Sequence, residues 1–206
     1  MIQAKQVSFL RMKDGTREDY ELLDRSERDF ARGLPDRILA ALAKLDHSLE
    51  GYRVSRLEHS LQCATRAEGD GADEEMVAAA LLHDIGDELA PYSHAEMAAA
   101  ILLPYVRPEV TWIVAQHALF QNYYYVHHFG GDRNARERFK DHPWYGACAD
   151  FCERWDQTSF DDAYATEPLE RFEPLVREVF ARKVYDPAIL QVGVVKGLPT
   201  PVAVAA

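Results

Sequence analysis

Apolar residues recur at three- and four-residue steps along most of this chain, and that period predicts helices rather than strands. Residues 18–32 are charged and amphipathic, and Gly33-Leu34-Pro35 closes the segment. Leu34, Ile38, Leu42, Leu45 and Leu49 then form the stripe of a core-facing helix. A third helix carries Val54, Leu57, Leu61 and Ala64 on one face and ends near Gly69-Asp70-Gly71. The fourth starts around Asp73 with an acidic first turn and runs through Met76 to His83. Ser93-His94-Ala95-Glu96 reads as a capping box opening an Ala-rich fifth helix, with Pro104 just past its end. Pro108-Glu109 opens a sixth, at the first-turn position Pro tolerates, and the pattern continues through Trp112, Ile113 and His117.

From Phe120 to Phe129 the chain is dense in aromatics and is followed by Gly130-Gly131, which predicts an ordered loop or a helix end. Residues 132–140 and 143–158 return to helix, the latter with Trp144, Ala147, Phe151 and Trp155. A further amphipathic segment, 167–180, contains Pro174 and is expected to kink or split there. Beyond Pro187 the chain is rich in Val, Ala, Gly and Pro, as a disordered tail or a strap across a neighbouring surface would be. No segment alternates as a strand does, and no internal repeat is visible. The predicted fold is an all-α, single-domain bundle of about eight helices. Residues 1–49 would form N-terminal helices packing on a core domain at 50–182, with a tail at 183–206.

With 206 residues, 48% apolar and 28% charged, the chain has the composition of an ordinary globular protein with a core of its own. Its net charge of -11 and lack of a Lys/Arg run argue against nucleic acid as a partner. No apolar run approaches a membrane span, and the N-terminus lacks a signal core, so a cytoplasmic location is expected. Nothing in the pattern specifies an oligomeric state. Cys63, Cys148 and Cys152 lack partners at zinc-finger spacing and read as small buried core residues in a reducing compartment.

The chemistry gathers around His83-Asp84, in Leu-Leu-His-Asp-Ile-Gly at the end of the fourth helix. Helix neighbours diverge by roughly 100° around the axis, so an adjacent His and Asp serve one metal poorly. They serve two metals well if the carboxylate bridges them. His59, His94, His117 and Asp156 also sit on helices, mostly near their ends, and such ends converge in a bundle. Any one of these histidines alone is more simply a core residue. Neutral imidazoles with carboxylates suit iron, manganese, zinc, cobalt or nickel better than magnesium or calcium.

The ordered set His … His-Asp … Asp resembles the HD-domain superfamily over roughly residues 50 to 182. That resemblance implies one metal on His59, His83, Asp84 and Asp156, and a second on Asp84, His94 and His117, with Asp84 bridging. Most HD proteins are metal-dependent phosphohydrolases. A smaller branch holds a mixed-valent Fe(II)/Fe(III) pair and activates dioxygen; it includes organophosphonate-cleaving oxygenases and the inositol oxygenase. Arg56-Leu57-Glu58-His59-Ser60-Leu61-Gln62-Cys63-Ala64 resembles the corresponding helix of the phosphonate-cleaving enzymes, and Arg154-Trp155-Asp156 their terminal ligand segment. The resemblance therefore implies a diiron oxygenase that uses O2 to cleave a C–C or C–P bond of a small molecule. The alternatives are a phosphomonoesterase or nucleotidase of the same fold, and a metal-retaining sensor that does no turnover.

The chain departs from the phosphonate-cleaving pattern at its substrate contacts. Leu49 and Tyr52 replace a Tyr and Glu pair, Gln121 replaces a Lys, and Asp87 follows His-Asp-Ile-Gly. Losing a cation and gaining a carboxylate weakens the grip on a doubly charged phosphonate. The expected substrate is then small, polar and hydroxylated or cationic, met by Tyr52, Asp87, Gln121 and Tyr124. The stretch Phe120, Tyr123, Tyr124, Tyr125 and Phe129 reads as core packing with exposed hydroxyls, or as a pocket wall suited to a quaternary ammonium beside Asp87 or Glu88. His127 and His128 read as surface or outer residues. Glu58 is expected to form a salt bridge with Arg56 or Arg154.

Overall fold

The computed structural model describes residues 6–189. Within them all regular structure is helical: α1 (Arg17–Arg32), α2 (Leu34–Lys44), α3 (Arg56–Gly69), α4 (Glu74–Leu82), α5 (His94–Leu102), α6 (Pro108–Tyr125), α7 (Tyr145–Phe151) and α8 (Leu169–Ala181). Short 3-10 turns cover Leu45–His47, Val126–Phe129 and Ala135–Phe139, and Cys152–Asp156 winds as a π-helix directly after α7.

α4 organises the bundle. From Met76 to Leu82 it is buried on every side, the signature of a helix at the centre of a domain. α3, α6 and α8 pack around it, and α5 pairs with α6. Asp73 starts α4 as an N-cap, accepting from the Met76 N–H at 3.1 Å. Because α4 runs through the middle, the two residues after it, His83 and Asp84, emerge in the interior rather than at the surface. α2 lays Ile38, Leu39 and Leu42 into the core and packs on α8, while α1 packs on α2. A capping box between Thr16 and Asp19 opens α1.

Several expectations change. Leu49 is not part of the α2 stripe; the helix ends at Lys44 and Leu49 is exposed. The capping box at Ser93 does not form, because Ser93 sits at φ −148°, ψ 33°, away from the extended backbone that swings an N-cap hydroxyl over the first turn. Its own N–H is held in a turn by the Ala90 carbonyl at 2.8 Å. α6 does not break at Phe120 but continues to Tyr125, because Phe120 is buried in the core. The 3-10 turn that follows stops at Gly130, whose φ of +76° is the left-handed conformation that closes helices. Residues 132–140 form only a 3-10 turn. α8 stays one element through Pro174, whose missing bond would reach only to Glu170 in the first turn while Phe172, Val176, Val179 and Phe180 anchor the apolar face.

Buried ion pairs tie three helix ends together. Arg107 meets Asp73 at 2.8 Å, Glu75 at 2.9 Å and Glu109 at 3.0 Å, and Arg182 at the end of α8 also reaches Glu75 at 2.8 Å. The expected tail or strap lies, from residue 190 onward, outside the described residues. No described helix is long and apolar enough to cross a membrane. All three cysteines are free and buried, as expected of core residues.

Candidate metal centre

Six side chains from five parts of the chain converge at the C-terminal end of α4: His59 from α3, His83 and Asp84 from the turn after α4, His94 from the start of α5, His117 from α6, and Asp156 from the π-helix. All but His94, which is 20% exposed, are essentially sealed from solvent. The π-helix is what brings Asp156 inward. Its wider turn, closed by the Gln157 N–H on the Cys152 carbonyl at 2.9 Å, rotates Asp156 from where an α-helix would place it.

Asp84 divides the cluster. Its Oδ2 lies 3.3 Å from His59 Nε2 and 3.2 Å from His83 Nε2, whereas its Oδ1 lies 3.3 Å from His94 Nε2 and 3.3 Å from His117 Nε2. Asp156 Oδ1 joins the first set, 3.4 Å from His59 Nε2 and 3.8 Å from His83 Nε2. The adjacent His and Asp thus divide the work as their angular separation requires: His83 serves one side, and Asp84 touches both.

The outer nitrogens of three rings are fixed by backbone carbonyls. His59 Nδ1 is 2.9 Å from the Ser159 carbonyl, His83 Nδ1 2.8 Å from Ala80, and His117 Nδ1 2.7 Å from Val114. A carbonyl only accepts, so each Nδ1 carries the hydrogen, and in the neutral ring that ligates a metal each Nε2 turns a lone pair inward. His59 Nε2 and His83 Nε2 consequently face each other at 3.1 Å, an approach that a shared cation resolves. Asp156 Oδ2 is buried without a hydrogen-bond partner. With the imidazoles neutral, as metal ligation requires, three carboxylates (Asp84, Asp87 and Asp156) against the one guanidinium of Arg56 leave the cluster two charges negative. Donor set, orphaned oxygen and charge all fit divalent metal, and the protein is built to bind it.

The electrostatics follow from these contacts. Burial by itself would depress His59, but hydrogen bonds to Asp156 and Asp84 outweigh it and raise the imidazole to about 9. Burial opposes ionisation of Asp84, yet His83 and Arg56 hold it well below the usual carboxylate range. Asp156 is lowered against its burial, chiefly by the His59 hydrogen bond. Cys63, one turn after His59, brings a thiol within 4.8 Å of the His59 and His83 ligand atoms. Burial and the Asp156 charge push that thiol up, so it stays protonated and is a poor ligand.

Arg56 was not among the expected site residues. It is buried on α3, three residues before His59 and on the same face, and pairs with Asp84 and, at 2.7 Å, with Asp87. A cation on an otherwise apolar helix face was the sign of it in the sequence. The expected Glu58 bridge is absent: Arg56 is taken by these carboxylates, Arg154 pairs with Asp70, and Glu58 meets only the Gln62 amide at 3.5 Å. Phe160 also went unanticipated; its ring stacks on His59 with centroids 4.4 Å apart.

A cavity of about 900 Å³ opens onto the cluster, lined by every one of the six residues except the fully buried His83. Tyr52, Asp87, Gln121 and Tyr124 all line it, but three of them are committed to protein partners. Asp87 is neutralised by Arg56, with its other oxygen 3.4 Å from His94 Nδ1, so it is not a free carboxylate for substrate. Gln121 donates to Asp156 Oδ1 at 3.0 Å. The Tyr124 hydroxyl donates to Glu153 at 2.6 Å, and burial together with this bond raises its pKa. Tyr52 is half-exposed and stacks on Phe160 at 5.2 Å. The aromatic stretch divides: Phe120 is core, Tyr123 stacks with Arg133 and Arg136, and Tyr124, Tyr125 and Phe129 line the cavity. His128 lines its rim, and His127 is exposed.

A helical domain that gathers four imidazoles and two carboxylates about an adjacent His-Asp pair is a metal-binding domain of the HD type. The HD domain family matches residues 56–184, and the chain belongs to that family. Over 106 residues it is 32% identical to the [1-hydroxy-2-(trimethylamino)ethyl]phosphonate dioxygenase (glycine-betaine-forming) of Leisingera caerulea. That match covers 46% of this chain and 51% of the relative, so the chain spans about half the length of the curated relative it matches.

Proposed function

We propose that this protein is a two-iron, dioxygen-dependent oxygenase that cleaves a C–C or C–P bond of a small hydroxylated substrate carrying a cationic group. The observation that carries the reading is the division of Asp84, with one oxygen for each of two ligand sets. One iron would lie on His59, His83, Asp84 and Asp156, and the other on Asp84, His94 and His117. When bound, the mixed-valent pair would supply dioxygen activation and an anchor for the substrate hydroxyl.

The chain's own residues bind, orient and shield. The second set has three protein ligands against four, and it includes the partly exposed His94, so its side leaves room for substrate and dioxygen. Gln121 fixes Asp156 in the first set. The Phe160 ring covers His59 and keeps water from that side. Tyr52, Tyr124, Tyr125 and Phe129 offer ring faces, and Glu88 a carboxylate, to a cationic head in the cavity.

Two further points favour oxygen chemistry over ester hydrolysis. The relative from Leisingera caerulea is named as a dioxygenase acting on a hydroxylated, trimethylamino-bearing compound. In addition, among the described residues Arg56 is the sole Lys or Arg that lines the cavity, and it is already shared by two carboxylates. An anionic substrate group would have to rely on the metals rather than on a basic clamp.

The test is metal analysis of aerobically purified protein, then electron paramagnetic resonance after mild reduction. Two irons, a coupled Fe(II)/Fe(III) signal that changes with substrate, and oxygen uptake are expected. A single metal without that signal, or phosphate release from a generic ester under manganese without oxygen, would replace this reading with a phosphohydrolase. Tight ligand binding without oxygen uptake would replace it with a sensor.

A further inference from the structure

We propose that Arg56 and Asp87 are a positioning pair that sets the orientation of His94 and of the shared carboxylate Asp84, and so the strength of the second metal position. The proposal rests on the two-metal reading and not on the oxygen chemistry.

His94 is the odd ligand of the set. His59, His83 and His117 each have their outer nitrogen fixed by a backbone carbonyl within 2.9 Å. His94 has instead a side chain, Asp87, whose Oδ1 lies 3.4 Å from Nδ1. His94 is also the one ligand with appreciable exposure, at 20%, so burial does less to hold its ring. Its orientation therefore depends on where Asp87 stands.

Asp87 is in turn held by Arg56, whose Nε donates to Asp87 Oδ2 at 2.7 Å. The same guanidinium donates through its terminal nitrogen to Asp84 Oδ2, the oxygen that faces His59 and His83. A planar fork with donors in fixed relation can address two carboxylates at once, which a lysine cannot. The carboxylates are held at matching spacing by a turn in which the Asp87 N–H donates to the Asp84 carbonyl at 3.0 Å. With Arg56 only 8% exposed, little water is available to replace either bond. One side chain on α3 thus holds the carboxylate shared by both metal positions through the oxygen that faces His59 and His83, and, through Asp87, a ring belonging to only the other position.

The experiment is titration of metal-stripped, full-length protein with Mn(II) alone, followed calorimetrically, alongside thermal melts of the metal-free forms. Wild type is expected to take up two equivalents. Asp87→Ala should weaken one site about 10–100-fold, as loss of a partner to a metal ligand does, and leave the other unchanged. Arg56→Lys should weaken that site most and the other to a lesser degree, since it keeps the charge but not the fork that holds Asp84 and Asp87 together. Arg56→Gln with Asp87→Asn removes the ion pair as a neutral unit; it should melt near wild type yet still bind the second Mn(II) weakly. Unchanged affinities in Asp87→Ala, or equal losses at both sites in step with a lower melting temperature, would overturn the proposal. A wild type that takes up one equivalent would instead overturn the two-metal reading, and the pair with it.

Discussion

A Cβ placed on Gly86 would lie 2.7 Å from the carbonyl oxygen of His94 and 2.8 Å from its Cα. Glycine is therefore required here by a close backbone approach: the turn leaving α4 rests directly on the start of α5. That contact places His94 beside Asp84, and no side chain larger than hydrogen preserves it. Gly86→Ala is expected to cost about 1–3 kcal/mol through overpacking. Because the displaced element carries His94, the second metal should be lost before the first. Chemical denaturation and elemental analysis of the same preparation check both.

The division of Asp84 between two ligand sets makes single substitutions asymmetric. His94→Ala should leave a folded protein that holds metal at the His59, His83, Asp84 and Asp156 set alone. Asp84→Ala should empty both positions, since each depends on one of its oxygens. Equal metal content in the two variants would count against a bridging role.

Arg107 stands against Asp73, Glu75 and the fully buried Glu109. Arg107→Ala would leave Glu109 charged and unpaired in the interior, where losing a partner costs about 3–5 kcal/mol. The ion pairs lie at the opposite end of α4 from the metal ligands. Urea unfolding should show the full loss, while the folded fraction retains wild-type metal stoichiometry.

Asp19 anchors the entry to α1. Backbone N–H groups of Thr16 and Ser8 donate to its carboxylate, helped by the Ser8 hydroxyl, and lower its pKa from 3.8 to about 2. A carboxylate depressed in the folded state contributes stability above its unfolded pKa and loses it as pH falls through the folded one. Protection of the Ser8 and Thr16 amides from hydrogen exchange should therefore fall between about pH 4 and pH 2. In Asp19→Asn that dependence should vanish; a similar profile in the variant would assign the effect to another group.

The cavity wall predicts a preference for cations. Tetramethylammonium should bind the metal-loaded protein, and Tyr125→Ala should weaken it about fivefold, the equivalent of roughly 1 kcal/mol for one ring face. Equal affinity for the isosteric neutral tert-butanol would show that the rings act as apolar surface only.

Most of the metal cluster could be read from the chain itself because its chemistry is written in residue type and helical period. Imidazoles and carboxylates at helix ends, around an adjacent pair that serves one metal poorly unless its carboxylate bridges two, already raised a two-metal site, and the family resemblance implied the two ligand sets. What helical period does not carry is how an end is finished. The π-turn that aims Asp156 and the failure of Ser93 to cap α5 depend on neighbours distant in sequence. So does the continuation of α6 past Phe120.

Charge bookkeeping from the sequence misjudged Asp87 for the same reason. Read along the chain, it was a carboxylate added to a substrate pocket. In the fold it lies 2.7 Å from Arg56, thirty-one residues away, with its other oxygen 3.4 Å from His94 Nδ1. The sequence by itself determined the helical class and the six metal-binding candidates, because periodicity and residue chemistry are local properties. Only the tertiary structure decided which oxygen faces which ring, which charges cancel and which aromatics reach the cavity. Those are distances between separate helices, and the burial of α4 sets them all at once.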